Sequence, residues 1–438
     1  MRKALTIFLG VYALILVLLI PSKGLFVDEI IDLNGVRGAS DVNGVLAFVP
    51  GNAGGVPLGY LVDFAMIRTF GYSVAAVRFP SVLFTVFACA GVFILARQTG
   101  LRWPMLAVVA YGISPMTLRY ALEARPYAQA ACWSIFASVV FLSLVRQPTI
   151  GKAAGYAALV AVGLYAQPYS VFIPFAHLLW LVFTRQKSRT ILLAGAAVAL
   201  AGVSFLPWFL KIHSAWQGAV NSGARFAVSG KDLLVIPHEL MGTGYVGAGL
   251  TVIAIIIALG WSSIPTQQKF FWAIYATIPL VLVPAADSYF GYFLAVRQLI
   301  FVLVPVSILI AACMQVHRWG RLVTVALLFG MVYEDVRWVR RPGEGWQAAS
   351  TELILQTSQP RTCALFAPTG SLALYTFFEP DLRGRLCDPN DLASPDRVVL
   401  AIGLDDPSTD AHQRLDRAYF QIVAFLRTAD PRIELYRK

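Results

Sequence analysis

Apolar residues gather along this chain in runs of roughly 17 to 25, the length a helix needs to cross a hydrocarbon layer about 30 Å thick. The runs recur up to residue 335 and then stop. Lipid offers no partner to a bare backbone amide, so the runs predict helices. Eleven spans follow from the pattern: 1–20, then 79–96, 103–118, 127–145, 153–166, 169–184, 190–210, 245–262, 270–286, 298–316 and 320–334. The first has the basic start of a signal peptide, but no small-residue cleavage site precedes Pro21, and it reads as a retained helix. Beyond Asp335 short periodic pieces take over. Residues 346–356 and 411–427 have helical spacing, while 362–367, 397–402 and 432–436 read as strands. A transmembrane domain over 1–335 and a small soluble α/β domain over 336–438 are therefore expected.

Composition agrees with this class, since 58% of the residues are apolar, 13% are charged and the mean hydropathy is +0.68. The net charge of +11 would suggest nucleic acid in a soluble protein. Here residues 336–438 hold 13 basic and 13 acidic side chains, so the whole excess belongs to the membrane part and needs no nucleic-acid partner. Loops on the N-terminal side carry Arg2, Lys3, Arg97, Arg102, Arg146, Lys152 and others without one acid. All eleven acids before residue 336 fall on the opposite side. Basic loops stay in the cytoplasm, which predicts a multi-pass protein of the inner (cytoplasmic) membrane with a cytoplasmic N-terminus and an extracytoplasmic, periplasmic C-terminal domain. Five cysteines show no metal-binding spacing. Cys363 and Cys387 lie in the outer domain and could form a disulfide or remain two buried thiols.

Candidate chemistry sits in the outer loops. The first, 21–78, contains Leu25-Phe-Val-Asp-Glu-Ile-Ile-Asp, the glycine-rich Pro50-Gly-Asn-Ala-Gly-Gly, and a mostly apolar piece over 57–71 that reads as an interfacial helix. Asp28 and Glu29 are adjacent, so on a helix they point about 100° apart and one is the better base. The other would be a helper, a metal ligand or a capping residue; the plain alternative is an N-cap for a helix starting near Ile30. Arg119-Tyr-Ala-Leu-Glu-Ala-Arg-Pro-Tyr, at the outer end of the third span, concentrates three charges and two tyrosines. Arg119 and Glu123 are four apart and could simply pair. Arg125 offers a five-donor fork that suits a phosphate. Tyr120 and Tyr127 fit an interfacial belt as well as a ligand site. Arg297, opening the tenth span, either snorkels or holds a second phosphate oxygen, and Arg78 is equally ambiguous. His238-Glu239 is weak evidence for a metal and leans structural.

An outer-face enzyme cannot draw on cytoplasmic nucleotide sugars, so a lipid-borne donor is the natural solution. Its phosphate leaving group needs no proton, and one base with cationic clamps suffices. These residues resemble the GT-C glycosyltransferases, in the polyprenyl-phosphate-sugar-dependent branch that includes protein O-mannosyltransferases, aminoarabinose transferases and rhizobial lipopolysaccharide core transferases. The resemblance covers most of the chain. It rests on Asp28-Glu29, Pro57-Leu-Gly-Tyr, Arg78-Phe-Pro-Ser, Tyr120-Ala-Leu-Glu-Ala-Arg-Pro-Tyr, Arg297 with Pro305 later in that span, and the outer domain from Trp346. It implies a GT-C-like α-helical polytopic fold and inverting transfer of a sugar from a polyprenyl-phosphate donor to a lipid, glycan or protein acceptor. Asp28 would be the general base, Glu123 a second acid and Arg125 a phosphate contact. The family's first-loop His-Pro-Pro reads Gly55-Val-Pro57 here, and its Thr-His-Tyr reads Ala166-Gln-Pro-Tyr, which leaves divalent-metal use open. The rival class is a transporter or lipid flippase, which would place ionisable groups at mid-depth and pair its halves.

Overall fold

The computed structural model describes residues 2–52, 55–221, 230–290, 295–388, 392, 394–404 and 406–438. Gly54 of the glycine-rich stretch lies outside them. By contacts the chain divides into two units, Met1–Ile20 with Ala39–Arg340, and Pro21–Gly38 with Arg341–Lys438. The stretch bearing Asp28 and Glu29 thus groups with the C-terminal residues.

The first unit is helical. Among the described residues seven helices are long and apolar enough to cross a membrane, and three further apolar helices are shorter. Each predicted span coincides with helix, but 103–118 is broken into Pro104–Gly112 and Pro115–Ala121. Proline disfavours helix at the residue before it and is welcome at a helix's first position, so Ser114-Pro115 ends one segment and opens the next. Helix starts elsewhere are capped, Asp41 accepting from the Gly44 N–H at 2.8 Å and Ser73 from Ala76 at 3.1 Å, each worth about 1 kcal/mol. Where a loop over 211–245 is expected, the helix Ser188–Asn221 runs on and Gly230–Met241 forms another. Both carry enough apolar residues to lie against a bundle, a periodicity masked by their interspersed lysine, histidine and proline.

Val74–Gln98 and Tyr127–Arg146 pack closely because Gly91 lies against the Ile135 side chain, leaving no room for a Cβ. The stretch Val296–Cys313 is 94% buried, apolar all round, and forms the unit's innermost element. Buried His177 is satisfied by Ser138 Oγ at 3.2 Å and the Tyr156 hydroxyl at 2.8 Å.

The second unit is built on a four-stranded sheet, β1 Thr362–Ala367, β2 Arg397–Ile402, β3 Gln421–Arg427 and β4 Arg432–Arg437, in the order β1-β2-β4-β3. β1 and β2 run parallel and the other pairs antiparallel. Arg-Val-Val-Leu-Ala-Ile in β2 is a continuous apolar run because both its faces are covered. Leu365, Leu400 and Ile402 pack with Leu415 and Phe420 on one side. The helix Trp346–Thr357 lies against β1 and β2, and the Trp346 and Phe366 rings meet Tyr375. The helix expected over 411–427 is corrected to Thr409–Arg417 followed by β3. Gln-Ile-Val-Ala-Phe-Leu-Arg has helical spacing in isolation, but pairing with β4 satisfies its backbone and outweighs that local pattern. Cys363 and Cys387 form a disulfide.

Candidate functional site

Asp28 and Glu29 lie in the first turn of the helix Val27–Gly38, where negative charge suits the helix dipole. The helix begins before Ile30, so Asp28 is its second residue and not its cap. Glu29, at the third position, reaches back to accept from the Phe26 N–H at 2.9 Å, the reciprocal half of a capping box. It is fully buried, whereas Asp28 is half-buried. The far end of the helix is held by Arg37, which donates to the Phe377 carbonyl at 3.1 Å and lies 4.6 Å over that residue's ring.

Glu344 was not singled out by the sequence. Its Oε2 accepts from the Val27 N–H and from Trp346 Nε1, each at 2.8 Å, so it anchors the start of the Asp28 helix to the C-terminal residues. Burial pushes its carboxyl above the usual range, the two donated hydrogen bonds pull it back, and the Asp430 and Asp28 carboxylates push it up further. No local pattern marks such an acid. Its partners lie over 300 residues away and two residues on.

In the membrane unit the Glu-Ala-Arg-Pro stretch is a non-helical turn between Pro115–Ala121 and Tyr127–Arg146. Gly59, on the helix Pro57–Phe70, lies so close to Pro126 that an added Cβ would stand 3.2 Å from its ring. Ser81 Oγ donates to the Glu123 carbonyl at 2.7 Å, fixing the turn from a second helix. The Glu123 side chain is buried and accepts from Arg119 Nε at 2.9 Å. The Tyr120 and Tyr127 rings are 4.8 Å apart. Arg119 lies 5.7 Å over Tyr120, Arg125 5.7 Å over Tyr127, and Arg297 5.9 Å over the same ring. Arg297 Nε also donates to the Tyr127 hydroxyl at 2.9 Å.

Arg119, Tyr120, Glu123, Arg125, Tyr127 and Arg297 thus gather at one place, and three guanidinium forks converge on two aromatic rings. Arg119 is exposed and Arg125 and Arg297 are partly so. Arg78 is different, being wholly buried with Nη1 donating to the Ile20 carbonyl at 3.2 Å, where it secures the end of the first helix. Among the described residues no three His, Cys, Asp or Glu side chains gather to hold a metal ion, and His238 instead faces the Tyr245 ring at 4.9 Å.

Residues 57–208 match the dolichyl-phosphate-mannose-protein mannosyltransferase family. No curated protein sequence matches the chain. Among solved structures it is similar to ArnT from Cupriavidus metallidurans bound to undecaprenyl phosphate, with 14% identity over 100% of this chain and 98% of that one and a TM-score of 0.59. It is also similar to the arabinofuranosyltransferase AftD from Mycobacteria, at 14% identity over 98% of this chain and 40% of that one, TM-score 0.56. A third is the archaeal oligosaccharyltransferase AglB from Archaeoglobus fulgidus in complex with an inhibitory peptide and a dolichol-phosphate, at 10% identity over 91% and 69%, TM-score 0.56. With helices long enough to span a membrane, a small C-terminal sheet and these structural neighbours, the chain is a multi-pass membrane protein that shares the fold of ArnT, AftD and AglB.

Proposed function

We propose that the protein is an inverting glycosyltransferase, moving a sugar from a polyprenyl-phosphate-linked donor to a glycan, lipid or protein acceptor on the outer face of the cytoplasmic membrane. The observation that carries this reading is the arginine and tyrosine cluster around Tyr127 in a chain of GT-C fold. ArnT and AglB bind undecaprenyl phosphate and a dolichol-phosphate respectively, and a lipid-linked phosphate is the ligand that fixed guanidinium forks at a membrane surface suit.

Arg125 and Arg297 are assigned to the phosphate oxygens, with Arg119 held in place by Glu123 and Tyr120 as a neutral donor. Asp28 is assigned as the general base, since Glu29 is committed to its helix start. The base takes the acceptor's proton as the acceptor atom bonds to the sugar's anomeric carbon from the face opposite the phosphate. The anomeric C–O bond breaks, its electron pair leaves on the phosphate, and configuration inverts. Phosphate departs without a proton, so the guanidinium charges supply the stabilisation that an acid would otherwise give. Transport is not favoured over transfer. The test is to incubate the purified full chain with labelled polyprenyl-phosphate sugar and a cell-envelope extract and to follow release of polyprenyl phosphate; wild-type protein that releases none would refute the reading.

A further inference from the structure

The C-terminal unit has an open-sided cavity of about 680 Å³ between the helix Thr409–Arg417 and the β3-β4 hairpin, large enough for a small molecule. His412 and Asp416, four apart on one helix face, line one wall. Ile422 and Phe425 of β3 and Glu434 and Tyr436 of β4 line the other. In a regular strand residues three apart point to opposite faces. Here the β3-β4 register shifts between Ile422 and Ala424, a bulge that pairs Ile422 with Tyr436 and Phe425 with Glu434 and turns all four to the cavity.

The polar groups are preorganised. Glu434 is 4% exposed, and its Oε2 accepts from the Tyr436 hydroxyl at 2.9 Å and lies 2.9 Å from His412 Nε2. The other His412 ring nitrogen is 3.4 Å from Ser408 Oγ. Phe425, by contrast, is 63% exposed on an edge strand, where an apolar ring would not be kept for packing. Lys438 lies 5.2 Å over the ring of Phe420, one of the lining residues, but the two lining carboxylates, Asp416 and Glu434, disfavour a phosphate or other anion. The Asp416 and Glu434 carboxylates beside an open aromatic face suit a ligand that is polyhydroxylated around its edge and carries C–H bonds on its face.

We propose that this cavity binds an uncharged sugar ring, and, on the transferase reading above, that it is a subsite for a glycan acceptor. The full chain in lipid nanodiscs is mixed with the methyl glycosides of mannose, glucose, galactose and N-acetylglucosamine, and saturation transfer to the sugar C–H protons is recorded. Transfer to at least one glycoside is expected, lost in Phe425→Ala and kept in Phe425→Trp. Release of polyprenyl phosphate from donor without acceptor should be the same in wild type and Phe425→Ala. Absence of transfer from every glycoside, its survival in Phe425→Ala, or binding of spermidine alone overturns the proposal. Phe425-dependent transfer in a protein that releases no polyprenyl phosphate would refute the transferase reading and leave the sugar site standing.

Discussion

Arg297 Nε donates to the Tyr127 hydroxyl at 2.9 Å across 170 residues of sequence, tying the entry of a late apolar segment to the Glu-Ala-Arg-Pro-Tyr turn. The bond fixes the direction of the Arg297 fork, and Tyr127 packs against Tyr120 and Arg125 as well. Tyr127→Phe keeps the ring and deletes the acceptor. A hydrogen bond from a charged donor is worth about 1.5–3 kcal/mol, and partial exposure puts this one at the low end, so the donor KM should rise about tenfold with a smaller change in kcat. Steady-state kinetics check this, and a lowered Tm with unchanged KM would assign the bond to packing.

Arg125 is predicted to bind donor through its planar fork. Arg125→Ala should raise the donor KM by at least about tenfold, and Arg125→Lys should recover only part of the loss because an ammonium cannot bind two oxygens side by side. A donor KM unchanged in both variants would return Arg125 to a membrane-interface role over the Tyr127 ring.

Much of this cluster was legible because its residues are local in sequence. Arg119, Tyr120, Glu123, Arg125 and Tyr127 span nine positions, and any turn between two helices would bring them near each other. Hydropathy located the helices because lipid and a bundle interior demand the same apolar runs. What the sequence hid depends on distant contacts. Glu344 has no motif, β3 reads as helix until β4 pairs with it, and the grouping of Pro21–Gly38 with the C-terminal residues leaves no trace in composition. Arg78 shows the opposite limit. Its type left snorkelling and a phosphate contact equally open, and its burial with a bond to the Ile20 carbonyl is invisible without coordinates.

Asp28 carries the sharpest catalytic prediction. Asp28→Asn keeps the shape and polarity of the side chain at a half-buried helix start, so expression and Tm should stay near wild type. An amide cannot accept the acceptor's proton, and transfer should fall to background. Glu29→Gln is the matched control. It should preserve the cap to the Phe26 N–H and retain most activity. Wild-type turnover in Asp28→Asn would remove the proposed base.

Glu344 predicts a pH dependence of stability. Its carboxyl titrates above the ordinary value of 4.5 because of burial, so the folded chain holds this proton more tightly than the unfolded chain. Between 4.5 and the raised folded value, unfolding releases the proton. The contribution is therefore fully present below that window and lost as pH rises through it. Glu344→Gln retains an acceptor for Val27 and Trp346 without the buried charge. Wild type and variant should melt together near pH 4, with the variant gaining relative Tm towards pH 7. A wild type that gains on the variant over that range would contradict the assignment.

The Cys363–Cys387 disulfide predicts both a labelling pattern and a stability loss. Of the five cysteines, Cys89, Cys132 and Cys313 are free and buried, so alkylation after denaturation should add three labels without reductant and five with it. The bridge spans 24 residues and holds the Leu386 bridge beside β1, where the Cys387 N–H donates to the Ala364 carbonyl at 2.9 Å. Closing a loop of that length constrains the unfolded chain by about 3 kcal/mol. The Cys363→Ser/Cys387→Ser variant should lose about that much stability and should be cleaved faster by protease within residues 341–438. Five labels without reductant would mean the cysteines are thiols, and equal protease resistance would mean the bridge adds nothing to the packing that already closes the loop.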